Sequence, residues 1–184
     1  MTSTPAPTTS SPSSWVRRFL PLVAPGGRVL DLAAGGGRHV RLLREAGYRV
    51  VAADRDVAQL RTAFASDPLC DIIEVDLEDG GPWPLGEGYQ GIVATNYLWR
   101  PLLPQLAAAL APQGVLLYET FMVGNERFGR PASPDFLLRP GELLAAYLGR
   151  LAIVAFEQGA VIGPRPAVIQ RIAAVKGEVG ALPV

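Results

Sequence analysis

Apolar positions fall along the chain in short blocks whose period switches between continuous runs and helical spacing. Arg28-Val-Leu-Asp-Leu-Ala33 is apolar and β-branched and runs directly into glycines, which predicts a buried strand. From Arg38 to Ala46, Val40, Leu43 and Ala46 recur at helical spacing with Leu42 beside them, and Gly47 offers a C-terminal cap. A second strand, Tyr48 to Ala53, closes on Asp54. Val57 to Ala65 then reads as a helix with Val57, Leu60, Ala63 and Phe64 on one stripe. Asp71 to Val75 predicts a third strand ending at Asp76, Gly80 to Gly88 is rich in turn residues, and Gly91 to Thr95 predicts a fourth strand. A helix over Pro101 to Leu110, a strand over Val115 to Tyr118 and a long irregular stretch from Gly124 to Pro140 follow. The chain closes with a helix carrying Leu144 and Leu148 and two strands, near Leu151–Phe156 and Ala167–Val175, with no helix between them. Before all this, Val16 to Leu22 is a short amphipathic segment ending at the turn Pro25-Gly26-Gly27.

Strands alternating with helices imply a mostly parallel sheet covered on both faces, and two directly joined strands imply an antiparallel ending. At 184 residues the chain has the length of one domain. Met1 to Ser14, composed almost entirely of Thr, Ser, Pro and Ala, reads as a disordered tail, leaving residues 15–184 as the domain. That opening has no basic and apolar leader pattern, and no apolar run approaches the roughly 20 residues of a membrane span.

Charge and the scarce metal ligands narrow the chemistry. Seventeen basic and 17 acidic residues balance, which argues against a partner held by non-specific attraction to nucleic acid. One cysteine and one histidine allow no intrachain disulfide and disfavour a conventional metal site; a reducing, cytoplasmic location is the default expectation.

In an open α/β sheet, ligands bind beyond the carboxyl ends of the strands. The first strand–helix junction reads Val29-Leu-Asp-Leu-Ala-Ala-Gly-Gly-Gly-Arg-His39, and three successive glycines let a backbone turn sharply and approach a ligand closely. By itself such a loop only turns the chain. Its companions add chemistry: Asp31, Asp54 and Asp76 stand at or near three consecutive strand ends. Asp54 is placed to accept from ribose hydroxyls and Asp76 from an adenine amino group.

With these residues in place, the chain resembles the class I S-adenosylmethionine-dependent methyltransferases. Val29 to Arg38 is similar to that family's Asp-x-Gly-x-Gly-x-Gly loop, Asp54 to its ribose acid and Asp76-Leu77 to its adenine-contacting pair. Ala94-Thr-Asn-Tyr97 stands at the fourth motif, and Leu110-Ala-Pro-Gln-Gly-Val-Leu116 resembles the helix and fifth strand that follow it. The resemblance runs from about Trp15 to Val175 and extends to a group of small uncharacterised bacterial methyltransferases. It implies a single-domain, Rossmann-like three-layer sandwich: a seven-stranded, mostly parallel sheet with an antiparallel final strand. It implies S-adenosylmethionine as cofactor, with Asp31, Ala33, Gly35, Gly37, Asp54, Arg55, Asp76, Leu77 and Asn96 as the binding residues. Ala33 replaces the family's first glycine, a change accommodated if φ stays negative there.

For the methyl acceptor the signals are local. Tyr97 follows the fourth strand, and Tyr118 to Arg130 follows the fifth, where it is expected to fold over the site as a lid. Tyr97, Glu119, Asn125, Arg127 and Arg130 are the candidates to orient an acceptor, with a small molecule the expected partner. The alternative for the arginines is pairing with Glu126, Asp135 or Glu142 to pin the loop. His39, the one group titrating near neutrality, opens a helix whose dipole disfavours its protonation. Two other functional readings remain: a non-catalytic module that binds the same cofactor, and a dinucleotide-dependent oxidoreductase. The latter's Gly-x-Gly-x-x-Gly fingerprint would need glycine where Val40 stands.

Overall fold

The computed structural model describes residues 11–163 and 165–180. Seven strands form one sheet: β1 (Arg28–Leu32), β2 (Arg49–Asp54), β3 (Cys70–Glu74), β4 (Tyr89–Thr95), β5 (Leu110–Phe121), β6 (Ala152–Val161) and β7 (Ala167–Val175). Their order is β3-β2-β1-β4-β5-β7-β6. The first five strands pair in parallel, and β7 runs antiparallel to both β5 and β6. Among the described residues five α-helices cover the faces: α1 (Ser14–Phe19), α2 (Arg38–Glu45), α3 (Ala58–Phe64), α4 (Leu103–Ala109) and α5 (Glu142–Tyr147).

The period of two along each strand divides the core in two. Val29, Val50, Ala52, Val93, Val115 and Leu117 face α1, α2 and α3, packing with Trp15, Val16, Leu43 and Leu60. Leu30, Leu32, Val51, Ile92, Leu116 and Tyr118 face α4 and α5, packing with Leu106, Leu143 and Tyr147. Both faces are apolar because helices cover both, which is why the central strands read as continuous hydrophobic runs. Trp15 anchors α1: its ring packs against that of Phe19, centroids 4.5 Å apart and planes tilted by 59°, and its Nε1 donates to the carbonyl of Ile172.

Several boundaries differ from the sequence reading for identifiable reasons. Residues 1–10 of the expected tail lie outside the described residues, but the folded unit starts earlier than residue 15. The Ser13 hydroxyl accepts from the backbone N–H groups of Trp15 and Val16 and so caps α1 at Ser14. Past Phe19 the chain tightens into a 3₁₀ turn, Leu20–Leu22. Pairing with β4 and β7 extends β5 at both ends, and pairing with β7 extends β6 to Val161; tertiary hydrogen bonds, not local propensity, set these lengths. Among the described residues no helix joins β3 to β4; the connection is the turn-rich loop anticipated around residues 80–88.

The chain leaves β1 toward β2 and β3 on one side and resumes at β4 on the other. The order of connection therefore reverses between β1 and β4, which opens a crevice at the carboxyl ends of these strands. Among the described residues no helix is long and apolar enough to cross a membrane.

Candidate active site

A cleft of about 280 Å³ lies at that reversal, lined by Ala33, Asp54, Arg55, Val75, Asp76, Leu77, Glu78, Tyr97 and Phe136. The loops after β1, β2, β3 and β4 each supply part of its wall. Six of the residues singled out in the sequence meet here: Ala33, Asp54, Arg55, Asp76, Leu77 and Tyr97.

The glycine loop is shaped against its neighbours. Ala33 has φ of 54°, Gly35 53° and Gly37 79°. Ala33 therefore contradicts the negative φ expected of it: a non-glycine residue is held in the left-handed region, where its Cβ crowds the following carbonyl. Gly37 admits no side chain. A Cβ there would meet Phe64 Cε2 at 2.6 Å and Leu60 Cδ2 at 2.9 Å, so α3 packs on the bare backbone that opens α2.

The Asp54 carboxylate braces this loop. Its Oδ2 accepts the backbone N–H of Gly35 at 2.8 Å and its Oδ1 that of Asp56 at 3.1 Å, so the end of β2 is tied to the end of β1. Each oxygen keeps a lone pair for a ligand. Asp76, in the same lining, is exposed and accepts from Glu78 N–H at 2.9 Å.

Beneath the loop, Asp31 is 1% exposed and its Oδ2 has no hydrogen-bond partner. Burial pushes its carboxyl up to about 7, against the opposing pull of the Arg38 charge and the Val40 backbone N–H. A buried polar atom without a partner is costly to the fold.

His39 is equally buried, and its Nε2 accepts the Ser13 backbone N–H at 3.0 Å. Arg38, next to it, donates to Thr95 Oγ1 at 3.2 Å. Burial first, then the Arg38 and Arg17 charges, bring His39 down to about 3. It stays neutral at physiological pH, and Nε2, its acceptor nitrogen, is already engaged.

A family model described as a methyltransferase domain matches residues 8–133, well over half of the chain. The chain belongs to this family. It is a methyltransferase, and its fold is that of solved S-adenosylmethionine-dependent enzymes. TehB from Haemophilus influenzae matches with a TM-score of 0.70 at 19% identity, over 85% of this chain and 59% of TehB. This chain thus spans under two thirds of TehB's length. A methyltransferase from Methanosarcina mazei matches at 0.69 and 13% identity, over 92% and 100% of the two chains. The 1,6-didemethyltoxoflavin-N1-methyltransferase of Burkholderia thailandensis, solved with 1,6-didemethyltoxoflavin and S-adenosylhomocysteine bound, matches at 0.65 and 17% identity, over 89% and 76%. No curated protein matches the chain in sequence.

The methyltransferase places the remaining expected residues away from the cleft lining. Asn96 follows β4 with φ of 56° and is exposed. Glu119 lies on the α1 side of β5, where its Oε2 accepts from Arg171 at 3.2 Å; Arg171 also pairs with Glu157. Asn125 is buried and spent on structure: Oδ1 accepts from Val168 N–H, and Nδ2 donates to the carbonyl of Pro131. Arg127 is exposed, with Nε on the Gly124 carbonyl, and Arg130 is exposed as well. Neither arginine pairs with Glu126, Asp135 or Glu142. That task belongs to Arg100, whose Nε donates to Glu142 Oε1 at 2.6 Å.

The segment that does reach the cleft is the 3₁₀ turn Pro134–Phe136, later in the same loop. Phe136, Glu78 and Val75 are lining residues that the sequence reading did not single out. Glu78 and Val75 flank Asp76 and Leu77 and were legible as neighbours. Phe136 carries no local signal, since only the path of the loop brings it over the site. The Tyr97 hydroxyl is buried beside Glu78, and burial first, then the Glu78 charge and a hydrogen bond to its side chain, keep its proton on. Among the described residues no three His, Cys, Asp or Glu side chains group as a metal site.

Proposed function

We propose that this methyltransferase moves a methyl group from S-adenosylmethionine to a small-molecule acceptor, the adenosyl end of the donor lying in the β1–β4 cleft. One observation carries the reading: residues from four different strand ends converge on a single slot, and a buried, unpartnered carboxylate, Asp31, stands two positions before the lining residue Ala33. Asp54 offers its free lone pairs to the ribose hydroxyls while holding Gly35 in place. Asp76, Leu77 and Arg55 receive the adenine. Ala33 and Gly35 present backbone to the amino-acid end, Gly37 lets that backbone approach closely, and Asn96 closes the edge. Asp31 takes the ammonium of the donor, directly or through water.

The bound sulfonium supplies a methyl group activated for in-line displacement, so the protein's contribution is chiefly proximity and alignment, worth roughly 7–11 kcal/mol of a barrier. Tyr97, still protonated at neutral pH, lines the cleft where its hydroxyl turns to a polar atom of the acceptor. His39 takes no part as a base, because its acceptor nitrogen is engaged by Ser13. The balanced charge of the chain and the small cleft favour a small acceptor over a nucleic acid. The bound heterocycle of the Burkholderia enzyme is in keeping with that class. A cytoplasmic setting suits the single, buried, unpaired cysteine.

Calorimetry with S-adenosylhomocysteine tests the reading: saturable one-site binding is expected, lost on Asp54→Ala by more than about tenfold, ~1.4 kcal/mol. Stabilisation by a nicotinamide nucleotide with no response to S-adenosylhomocysteine would overturn it.

A further inference from the structure

We infer that Phe136 is the aromatic roof of the adenine slot and that Arg100 is the residue that positions it. This rests on the donor reading above and adds a contact and a device that the reading does not contain. Phe136 is 47% exposed, an unusual setting for a large apolar ring, yet the two residues after it, Leu137 and Leu138, are buried. Leu138 is fastened to the end of β5 by hydrogen bonds between its N–H and the Phe121 carbonyl and between its carbonyl and the Val123 N–H. The ring is therefore presented to the cleft from an anchored backbone.

Arg100 supplies the other half of the anchor. It lies three residues past Tyr97, in the segment leaving the same cleft. Its Nη1 donates to the carbonyl of Asp135 at 2.7 Å and its Nη2 to the carbonyl of Leu137 at 2.8 Å, the two residues flanking Phe136. Glu142 grips the guanidinium through Nε at 2.6 Å and Nη2 at 3.0 Å, and its Oε2 also accepts the Arg139 N–H at 2.7 Å. A planar fork is needed to bridge a carboxylate and two carbonyls at once, and an ammonium has no such geometry.

Arg55 and Leu77 line the same cleft as this fixed ring, together with Asp54, Asp76 and Glu78. A flat apolar ring, a guanidinium, an aliphatic side chain and carboxylate acceptors gathered in one cleft suit a planar base with an exocyclic amine. Stacking on an aromatic face contributes to base binding whatever the base.

Calorimetry on the full chain with S-adenosylhomocysteine and with adenosine alone tests the assignment. Phe136→Ala, a change at an exposed position, is expected to weaken both ligands by about the same factor, on the order of tenfold. Phe136→Trp is expected to bind within about twofold of the parent. Arg100→Lys, which keeps the charge and loses the fork, is expected to weaken both ligands in the parent and to add no further loss in the Phe136→Ala background. Parent-like affinity of Phe136→Ala overturns the roof, as does a loss for S-adenosylhomocysteine that adenosine does not share. Losses from Arg100→Lys and Phe136→Ala that multiply overturn the positioning role. If the unmodified chain binds neither ligand, it is the donor reading that fails.

Discussion

The backbone N–H of Ser13 donates a 3.0 Å hydrogen bond to Nε2 of His39. That bond fixes the proton of the neutral ring on Nδ1, which lies 3.4 Å from Thr95 Oγ1. It also ties the capping residue of α1 to the first turn of α2, directly behind the glycine loop.

His39 should therefore make the protein acid-sensitive in a particular way. Its folded value of about 3 lies below the ordinary 6.5, so the unfolded chain takes up this proton first as pH falls. The stability it contributes is complete above pH 6.5 and declines toward pH 3. At neutral pH, His39→Leu should cost about 1–3 kcal/mol, because the Ser13 N–H loses its acceptor. In urea titrations the gap between parent and variant should narrow from pH 6.5 to pH 4; a constant gap would exclude a neutral, buried imidazole.

Asp31 has the opposite sign. Its folded value of about 7 lies above the ordinary 3.8, so its neutral form favours the fold below pH 3.8, and that contribution is lost as pH rises to 7. If the ammonium of the donor meets this carboxyl, binding must ionise it. S-adenosylhomocysteine binding at pH 6 should then release a proton, visible as a dependence of the calorimetric enthalpy on buffer ionisation heat. The dependence should vanish at pH 8, and affinity should climb with pH up to about 7. A buffer-independent enthalpy at pH 6 would remove Asp31 from the ammonium site.

Asp54 links fold and ligand, and two substitutions separate the tasks. Asp54→Asn keeps an oxygen for Gly35 or Asp56 but loses the charge, whereas Asp54→Ala frees both N–H groups. Thermal unfolding should show Asp54→Ala less stable than Asp54→Asn by about 1 kcal/mol, with both weakened for S-adenosylhomocysteine. Equal stability of the two variants would mean that the loop does not depend on this tether.

Ala33 and Gly37 make a paired test of the loop backbone. Ala33→Gly removes a Cβ from φ of 54° and should stabilise the protein by up to ~1 kcal/mol. Gly37→Ala places a Cβ against Phe64 and Leu60 at φ of 79° and should destabilise it by about 2 kcal/mol or more. Denaturant midpoints read both, and shifts of the same sign would contradict the loop conformation.

Much of this protein was legible from local pattern. Continuous apolar runs ending in glycine or aspartate located the strands, because a strand covered on both faces needs no polar alternation. Helical stripes such as Val57–Leu60–Phe64 located the helices that cover them. The strand-end acids were readable for the same reason: a sharp turn at a carboxyl end exposes whichever side chain stands there. Asp54 and Asp76, named on that basis, share one cleft with Ala33, Arg55 and Leu77, which only the family resemblance implied.

What only the tertiary structure decided involves partners distant in sequence. Ala33 takes a positive φ because the loop is bound to β2 through the Ala34 N–H on the Ala53 carbonyl and the Gly35 N–H on Asp54. Asn125 and Glu119 are drawn from the expected acceptor side into contacts with Val168 and Arg171, because β7 inserts between β5 and β6. Phe136 reaches the cleft because Arg100, 36 positions earlier, holds the carbonyls on either side of it. Periodicity reports which face of an element is apolar; it carries no information about which loop crosses which strand end, and that crossing depends on contacts summed over the whole fold.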